Sequence, residues 1–231
     1  MTPLVLLPGM MCDARLFAPQ VAALAADRAV TVAPLTAHDS VGDLAAAVLA
    51  DAPPRFALGG LSMGGIVAME VLRRAPERVE RLALLDTNPL AETPEAQARR
   101  APQIAAARAG RLRAVMRDEM KPNYLADGPG RDALLDLCME MAVDLGPEVF
   151  VRQSVALRDR PDQSATLRAA RLPALILCGA EDRLCPPERH RLMHGLMPQA
   201  TLVIVEGAGH LPTLEKPQET TAALTRWLEA A

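Results

Sequence analysis

Aromatic residues are scarce in this chain, with three Phe, one Tyr and one Trp among 231 residues. This scarcity argues against a surface on which bases or sugar rings stack. The charge is nearly balanced, with 25 basic and 28 acidic residues and a formal net charge of −3. No block of basic residues indicates binding to nucleic acid, so we expect no such partner.

Long apolar runs and paired cysteines are also missing. No stretch approaches the roughly 20 apolar residues that cross a bilayer, so we expect no membrane partner. The first apolar run, Leu4–Leu7, has no basic start and ends at Pro8, which favours a buried strand over an export signal. The cysteines form no C-x-x-C pair, and we expect a cytoplasmic protein with reduced thiols. They are Cys12, Cys138, Cys178 and Cys185.

Strand and helix patterns alternate along most of the chain. Short continuous apolar runs are typical of strands buried on both faces of a parallel sheet, and the helices between them suit parallel crossovers. The predicted strands are Leu4–Leu7, Ala29–Ala33, Arg55–Gly59, Val79–Asp86, Ala174–Cys178 and Thr201–Val205. The predicted helices are Phe17–Ala26, Val41–Asp51, Met63–Ala75, Pro187–Leu196 and Lys216–Glu229. The pattern predicts an α/β fold with about six strands, all parallel.

The segment from about Asn88 to Arg168 breaks this alternation. It is rich in Ala, Arg, Leu and Met and has the periodicity of helices. The candidate helices are Pro94–Ala109, Gly110–Met120, Arg131–Asp144 and Pro147–Arg158. We expect residues 1–87 and 169–231 to form the core, and residues 88–168 to form a helical insertion.

Three residues in this chain order form a candidate catalytic set. Ser62 lies in Gly60-Leu61-Ser62-Met63-Gly64, where glycines permit a sharp turn between a strand and a helix. Asp182 follows the fifth predicted strand, and His210 follows the sixth. Serine needs a base, histidine titrates near neutrality, and a carboxylate fixes the tautomer of the imidazole. The order is therefore nucleophile, acid, base.

Two alternatives concern the acid and a metal. Asp86 ends the fourth predicted strand and is the rival acid, but Asp182 lies in a G-x-x-D-x-x-x-P pattern and is preferred. His190 and His194 lie four residues apart on a predicted helix, a spacing that can hold a metal. No His-Glu-x-x-His motif and no third ligand accompany them, so we predict exposed helix residues and no metal site.

Four blocks of the sequence resemble the α/β-hydrolase superfamily over essentially the whole chain. They are Leu6-Leu7-Pro8-Gly9-Met10, Gly60-Leu61-Ser62-Met63-Gly64-Gly65, Gly179-Ala180-Glu181-Asp182-Arg183-Leu184-Cys185-Pro186 and Gly207-Ala208-Gly209-His210. The resemblance implies the α/β-hydrolase fold, with residues 88–168 as a helical cap. Members usually open with a β-hairpin, whereas the first strand here begins almost at Met1, so we expect the sheet to lack that hairpin.

The same resemblance implies the remaining parts of the site. An oxyanion hole needs two preorganised N–H donors, and the implied donors are the backbone amides of Met10 and Met63. Relatives often carry His-Gly where this chain has Pro8-Gly9, but a backbone donor does not depend on that histidine. We expect Met11, Cys12 and Leu211 at the substrate pocket.

These assignments predict a serine esterase that cleaves small to medium carboxylic esters through an acyl-enzyme. Ser62 attacks the carbonyl, His210 is the base, and Asp182 orients His210, with no metal or cofactor. One alternative is a C–C bond hydrolase, an enol-lactonase or a lyase like that of the menaquinone pathway, acting on an anionic substrate. Inward-facing arginines of the cap would favour it. A second alternative is a non-catalytic binding protein of the same fold.

Overall fold

The structure, a computed structural model, describes residues 1–230 and contains one six-stranded sheet. The strand order is β2-β1-β3-β4-β5-β6, and every pair of neighbouring strands is parallel. The strands are β1 (Leu4–Leu7), β2 (Val30–Val32), β3 (Phe56–Leu61), β4 (Val79–Leu85), β5 (Ala174–Gly179) and β6 (Thr201–Val205). The predictions of six strands and an all-parallel sheet are confirmed.

Burial explains why these runs form strands. Strands β1, β3 and β5 are buried along their whole length, as continuous apolar runs require. The edge strands β2 and β6 are mostly half-buried, since each has a neighbour on one side only. In a parallel sheet the carboxyl ends of all strands meet at one edge, and ligand sites form there.

Helices flank the sheet and follow its strands. They are α1 (Ala18–Leu24), α2 (Val41–Asp51), α3 (Met63–Arg74), α8 (Pro187–Leu196), α9 (Pro212–Glu215) and α10 (Pro217–Glu229), with α4 to α7 between β4 and β5. Helix α3 packs against α2 and against strands β1, β3 and β4, while α10 packs against α1 and strands β5 and β6. Helix α3 is thus held on both sides, and its N-terminus is fixed at the sheet edge.

The segment between β4 and β5 is helical, as expected, but its helices are divided differently. They are α4 (Pro94–Ala106), α5 (Leu112–Val115), α6 (Arg131–Arg158) and α7 (Ser164–Ala169), with π-helical turns at Ala107–Arg111 and Met116–Met120 and a 3₁₀ turn at Lys121–Asn123. Helix α6 bends at Gly146, whose φ of 82° and ψ of 172° are not helical. The two helices predicted around Gly146-Pro147 therefore meet at a kink. The six-residue α7 was not predicted.

A buried carboxylate ties α3 to the start of α7. Glu70 is 3% exposed and accepts hydrogen bonds from Arg73 (2.6 and 2.8 Å), Arg74 (2.7 Å) and Gln163 (2.8 Å). The hydrogen bonds from Arg73, followed by those from Arg74 and Gln163, outweigh burial and lower the pKa of Glu70 to about 2. The charged form of Glu70 is therefore the one that the fold stabilises.

We predict that Glu70→Gln lowers the free energy of unfolding by about 2 kcal/mol at pH 7. The carboxylate is favoured by folding, so its contribution is complete above the ordinary pKa of 4.5 and is lost as the pH falls toward about 2. Urea denaturation at pH 7, 5 and 3 should show the difference between wild type and variant shrinking at pH 3. A constant difference, or an equal loss in the exposed control Glu77→Gln, would contradict this role.

Candidate active site

Ser62 occupies a strained turn at the carboxyl edge of the sheet, between β3 and α3. Its φ is 54°, a left-handed value that is rare for a residue other than glycine. The turn persists because the amide and the carbonyl of Ser62 are both hydrogen-bonded. The Ser62 amide donates to the Leu85 carbonyl (2.9 Å), and the Thr87 hydroxyl donates to the Ser62 carbonyl (2.7 Å).

Glycines allow this turn to form. A Cβ atom on Gly60 would collide with the backbone of Gly64, and one on Gly64 would collide with the backbone of Leu7 and Pro8. The turn therefore lies directly against the end of β1. This packing brings Ser62 close to the loop that follows β1, which contains Gly9 and Met10.

His210 and Asp182 form a buried pair. The His210 Nδ1 atom lies 2.8 Å from Asp182 Oδ2, and the two side chains are 5% and 0% exposed. The other oxygen, Oδ1, accepts from the amides of Leu184 (2.8 Å) and Cys185 (2.9 Å). Burial alone would raise the pKa of Asp182, but His210 and these hydrogen bonds hold it below its ordinary value. Asp182 is therefore an ionised acceptor that orients the imidazole.

Asp86, the rival acid, has different partners. It is 0% exposed, has a φ of 44°, and its Oδ1 accepts from the Gly179 amide at 2.9 Å. Its Oδ2 has no hydrogen-bond partner among residues 1–230. Burial first, and then the charge of Asp182, raise the pKa of Asp86 well above its ordinary value. The partner of His210 Nδ1 is thus Asp182, while Asp86 accepts a hydrogen bond at the end of β5.

The loop that carries His210 is bonded to the helical segment above it. The His210 amide donates to the Tyr124 carbonyl at 2.7 Å. The Glu215 carboxylate accepts from three amides, those of Gly209 (2.9 Å), Leu211 (3.0 Å) and Ala126 (2.8 Å). Burial nevertheless raises the pKa of Glu215. One side chain therefore fixes both the histidine loop and residues 124–126.

His190 differs from expectation. It was predicted to be exposed on its helix, but the structure buries it completely, at 0% exposure. Its Nε2 accepts from the Thr87 amide (3.1 Å), and its Nδ1 lies 3.3 Å from the Pro186 carbonyl. Burial lowers the pKa of His190 to about 4. A neutral imidazole suits both hydrogen bonds, so His190 supports the Thr87 end of β4 and is not free to bind a metal with His194.

Ser62 and His210 line the same cavity, which has a volume of about 680 Å³. The loop after β1 contributes Met10 and Cys12, and Leu211 lies beside His210. Met11 is not among the lining residues. Its φ is 55°, it is 1% exposed, and its amide donates to Gln153 Oε1 at 2.8 Å.

The backbone amides of Met10 and Met63 differ from that of Met11. For the amides of Met10 and Met63, no acceptor is found within the part of the chain that the structure describes. Met63 is the first residue of α3, where an amide has no partner inside the helix.

Asp182, Cys185 and His210 offer three ligand-type atoms within 4.8 Å of one another. Two of these residues already bond each other through His210 Nδ1 and Asp182 Oδ2. Burial, and then the charges of Asp182 and Asp86, raise the pKa of the Cys185 thiol well above its ordinary value, which disfavours the thiolate that binds metals. The arrangement fits a hydrogen-bonded histidine–carboxylate pair better than a metal site.

Residues 4–224 match the sequence profile of the Alpha/beta hydrolase family, and the chain belongs to that family. Pimeloyl-[acyl-carrier protein] methyl ester esterase from Chromobacterium violaceum is 29% identical over 196 residues, which cover 83% of this chain and 76% of that protein. The biotin biosynthesis bifunctional protein BioHC from Teredinibacter turnerae is 26% identical over 76% of this chain, and the chain spans only a third of that longer protein.

A solved structure of an esterase is also similar to this chain. A thermophilic esterase from Thermogutta terrifontis, solved with malate bound, has a TM-score of 0.89 and 27% identity, covering 99% of this chain and 89% of that one. The chain is therefore an alpha/beta hydrolase with esterases among its relatives. Within residues 1–230, no helix is both long and apolar enough to cross a membrane.

We predict that Glu215→Ala lowers kcat on the order of 10- to 100-fold, because three amides lose their acceptor and the His210 loop shifts. The readout is kcat and KM on a chromogenic ester, with thermal unfolding measured in parallel. Glu215→Gln keeps one carbonyl acceptor and should fall between wild type and Glu215→Ala. The matched control is Glu219→Ala on the exposed face of α10. Unchanged kcat in the folded alanine variant would rule out this positioning role.

We also predict that the free energy of unfolding falls on acidification, because His190 must be protonated in a buried place. Its folded-state pKa of about 4 lies below the ordinary 6.5, so folding disfavours the proton, and the contribution is lost as the pH falls from 6.5 toward 4. The loss reaches up to about 3 kcal/mol. In His190→Gln, the amide oxygen of Gln can still accept from Thr87. The free energies of unfolding of this variant at pH 7 and 4.5 should differ less than those of the wild type. His194→Gln should keep the wild-type difference, and an equal slope in all three proteins would refute the assignment.

Proposed function

We propose that this chain is a serine hydrolase of carboxylic esters, with Ser62 as nucleophile, His210 as general base and Asp182 as the residue that orients His210. The observation that carries the proposal is that a strained serine and a carboxylate-bonded histidine line one cavity. In this reaction His210 Nε2 takes the proton of the Ser62 hydroxyl as Oγ attacks the ester carbonyl. The proton then passes to the leaving alcohol, and the acyl group stays on Ser62.

Deacylation repeats these steps with water. His210 removes a proton from a water molecule, the hydroxide attacks the acyl carbonyl, and the carboxylic acid leaves as Ser62 regains its proton. In both steps the negative charge on the carbonyl oxygen needs two N–H donors. The Met10 and Met63 amides are proposed for this role, because neither has an acceptor within residues 1–230. Met11 is less suited, because its amide already donates to Gln153.

The helical segment between β4 and β5 is proposed to act as the cap over this site. Several of its residues, including Asn123, Tyr124 and Leu157, line the cavity together with Ser62. A covered site excludes water from the acyl-enzyme and limits the size of the substrate. We therefore propose a core of residues 1–87 and 169–231, a cap of residues 88–168, and a small-molecule ester or related acyl compound as substrate.

A second candidate is the hydrolysis of a C–C bond, of an enol-lactone, or an elimination, on an anionic substrate with the same three residues. The observation that favours it is a group of arginines in the cavity, among them Arg100 and Arg160. These reactions also need a base and an oxyanion hole, so the presence of His210 does not separate them from ester hydrolysis. Substrate tests are required.

The test is hydrolysis of p-nitrophenyl esters from acetate to decanoate by wild type and by Ser62→Ala. We predict that Ser62→Ala lowers kcat/KM by at least about 10⁴-fold, because the nucleophile is lost while the fold is kept. Ser164→Ala, at the start of α7, is the matched control and should retain activity. A fluorophosphonate probe should label Ser62 alone, as mapped by peptide mass spectrometry.

The other outcomes of this test distinguish among the proposed functions. Activity that persists in Ser62→Ala would overturn the serine mechanism. A folded wild type that is labelled at Ser62 but cleaves no ester would favour the second candidate, to be tried on lactones and β-diketones. A folded protein that neither reacts with the probe nor turns over any of these compounds would indicate a binding protein.

A further inference from the structure

The cavity that contains Ser62 is strongly basic away from the catalytic pair. Five arginines and two glutamates line it, and no lysine or aspartate does. The arginines are Arg99, Arg100, Arg160, Arg183 and Arg189. Two of the five, Arg99 and Arg183, are exposed, whereas the other three are partly or largely buried. The buried arginines are the ones whose charge must be balanced locally.

One carboxylate is shared by two of these guanidinium groups. Glu92 Oε2 accepts from Arg100 Nη2 (2.6 Å) and Nε (3.0 Å) and from Arg160 Nη1 (3.1 Å). The Arg100, Arg160 and Glu92 side chains are only 14%, 10% and 8% exposed. Two guanidinium groups therefore share one carboxylate in this cluster. Here one positive charge remains without a carboxylate in a place where water is largely excluded.

A third arginine adds to this excess. Arg189, near the start of α8, forms no ion pair with any carboxylate in the part of the chain that the structure describes. Burial lowers the pKa of Arg160, and the charges of Arg100 and Arg189 lower it further against the effect of Glu92. Arginine does not lose its proton in proteins, so an anion is the means by which this repulsion can be relieved.

Arg160 is also held in a fixed orientation. Its Nε donates to the Leu90 carbonyl at 2.9 Å, and its Nη1 donates to Glu92. Its Nη2 has no acceptor among residues 1–230. A guanidinium that is oriented in advance, with one edge free, binds a carboxylate at a low entropic cost.

Arg160 and Arg189 lie near enough to the catalytic pair for their charges to act on a residue beside it. Cys185, whose ligand-type atom is within 4.8 Å of those of Asp182 and His210, feels the charges of Arg160 and Arg189. A molecule that places its scissile group at Ser62 can therefore extend toward these arginines. Apolar residues, including Ile66, Leu157 and Leu211, line the same cavity.

We propose that Arg100, Arg160 and Arg189 form a carboxylate subsite, so that the preferred substrate is an ester that also carries a free carboxylate. This inference rests on the proposed function for its catalytic part. The carboxylate binds at Arg160 Nη2 and near Arg189, and it compensates the charge that Glu92 leaves unbalanced. The subsite binds substrate and does not take part in the chemical step.

The test compares monoethyl adipate with ethyl hexanoate, its uncharged counterpart, by proton release in a pH-stat. We predict that wild type prefers the carboxylate ester by about tenfold or more in kcat/KM, because a partly buried guanidinium binds the carboxylate. Arg160→Gln and Arg189→Gln should each reduce that preference several-fold, mainly through KM, while kcat/KM for ethyl hexanoate changes less than about twofold. Removing Arg160 still leaves Glu92 paired with Arg100, so the variant should fold.

The matched control is Arg158→Gln. Arg158 lies two residues before Arg160, is half-exposed, pairs with Asp159 and does not line the cavity. It should keep the wild-type preference. Equal use of the two esters by wild type, or an equal loss for both esters in Arg160→Gln, would overturn the subsite.

A binding measurement separates this inference from the proposed function. Titration calorimetry with adipate on the inactive Ser62→Ala protein should detect binding that is lost in Ser62→Ala/Arg160→Gln. Such binding without turnover of any ester would support the subsite and reject the ester hydrolase. Turnover of ethyl hexanoate by wild type without adipate binding would support the ester hydrolase and reject the subsite. Binding of inorganic phosphate in place of adipate would refute the carboxylate as the ligand.

Discussion

The close contact between the β3–α3 turn and the end of β1 determines where the other parts of the site can lie. Gly64 rests on the backbone of Leu7 and Pro8, so the strained Ser62 and the loop after β1 are forced together. The end of β4 then closes the turn from the other side, because Leu85 and Thr87 bond the two peptide groups of Ser62. The position of Ser62 is therefore fixed by three neighbouring strands, β1, β3 and β4.

Buried carboxyl groups lie around His210, and guanidinium groups line the cavity. Near His210, the carboxyl groups of Asp86, Asp182 and Glu215 accept hydrogen bonds from backbone amides or from the imidazole. Among the residues that line the cavity, guanidinium groups outnumber carboxylates. A ligand inside the cavity thus lies in a field that favours negative charge beside these guanidinium groups.

The sheet and the candidate triad were predictable because their causes are local. Apolar runs of four to seven residues mark buried strands, and glycines flanking Ser62 mark a sharp turn. The partners that position the site were not predictable, since they are distant in sequence. Gln153 bonds Met11 across 142 positions, and Glu215 bonds Ala126 across 89. Helix periodicity also could not reveal that α8, which packs against β5 and β6, brings the buried imidazole of His190 to the Thr87 amide after β4.

The three hydrogen bonds accepted by Glu215 have a consequence for how the protein can be altered. Because residues 124–126 are bonded to the histidine loop, they behave mechanically as part of the core, although the chain reaches them from within the helical segment. Opening by rigid rotation of the whole segment would break these bonds. Remodelling of the entrance, by grafting or by shortening, is therefore best confined to α4, α5 and the turns between them, with Tyr124 to Ala126 retained alongside His210.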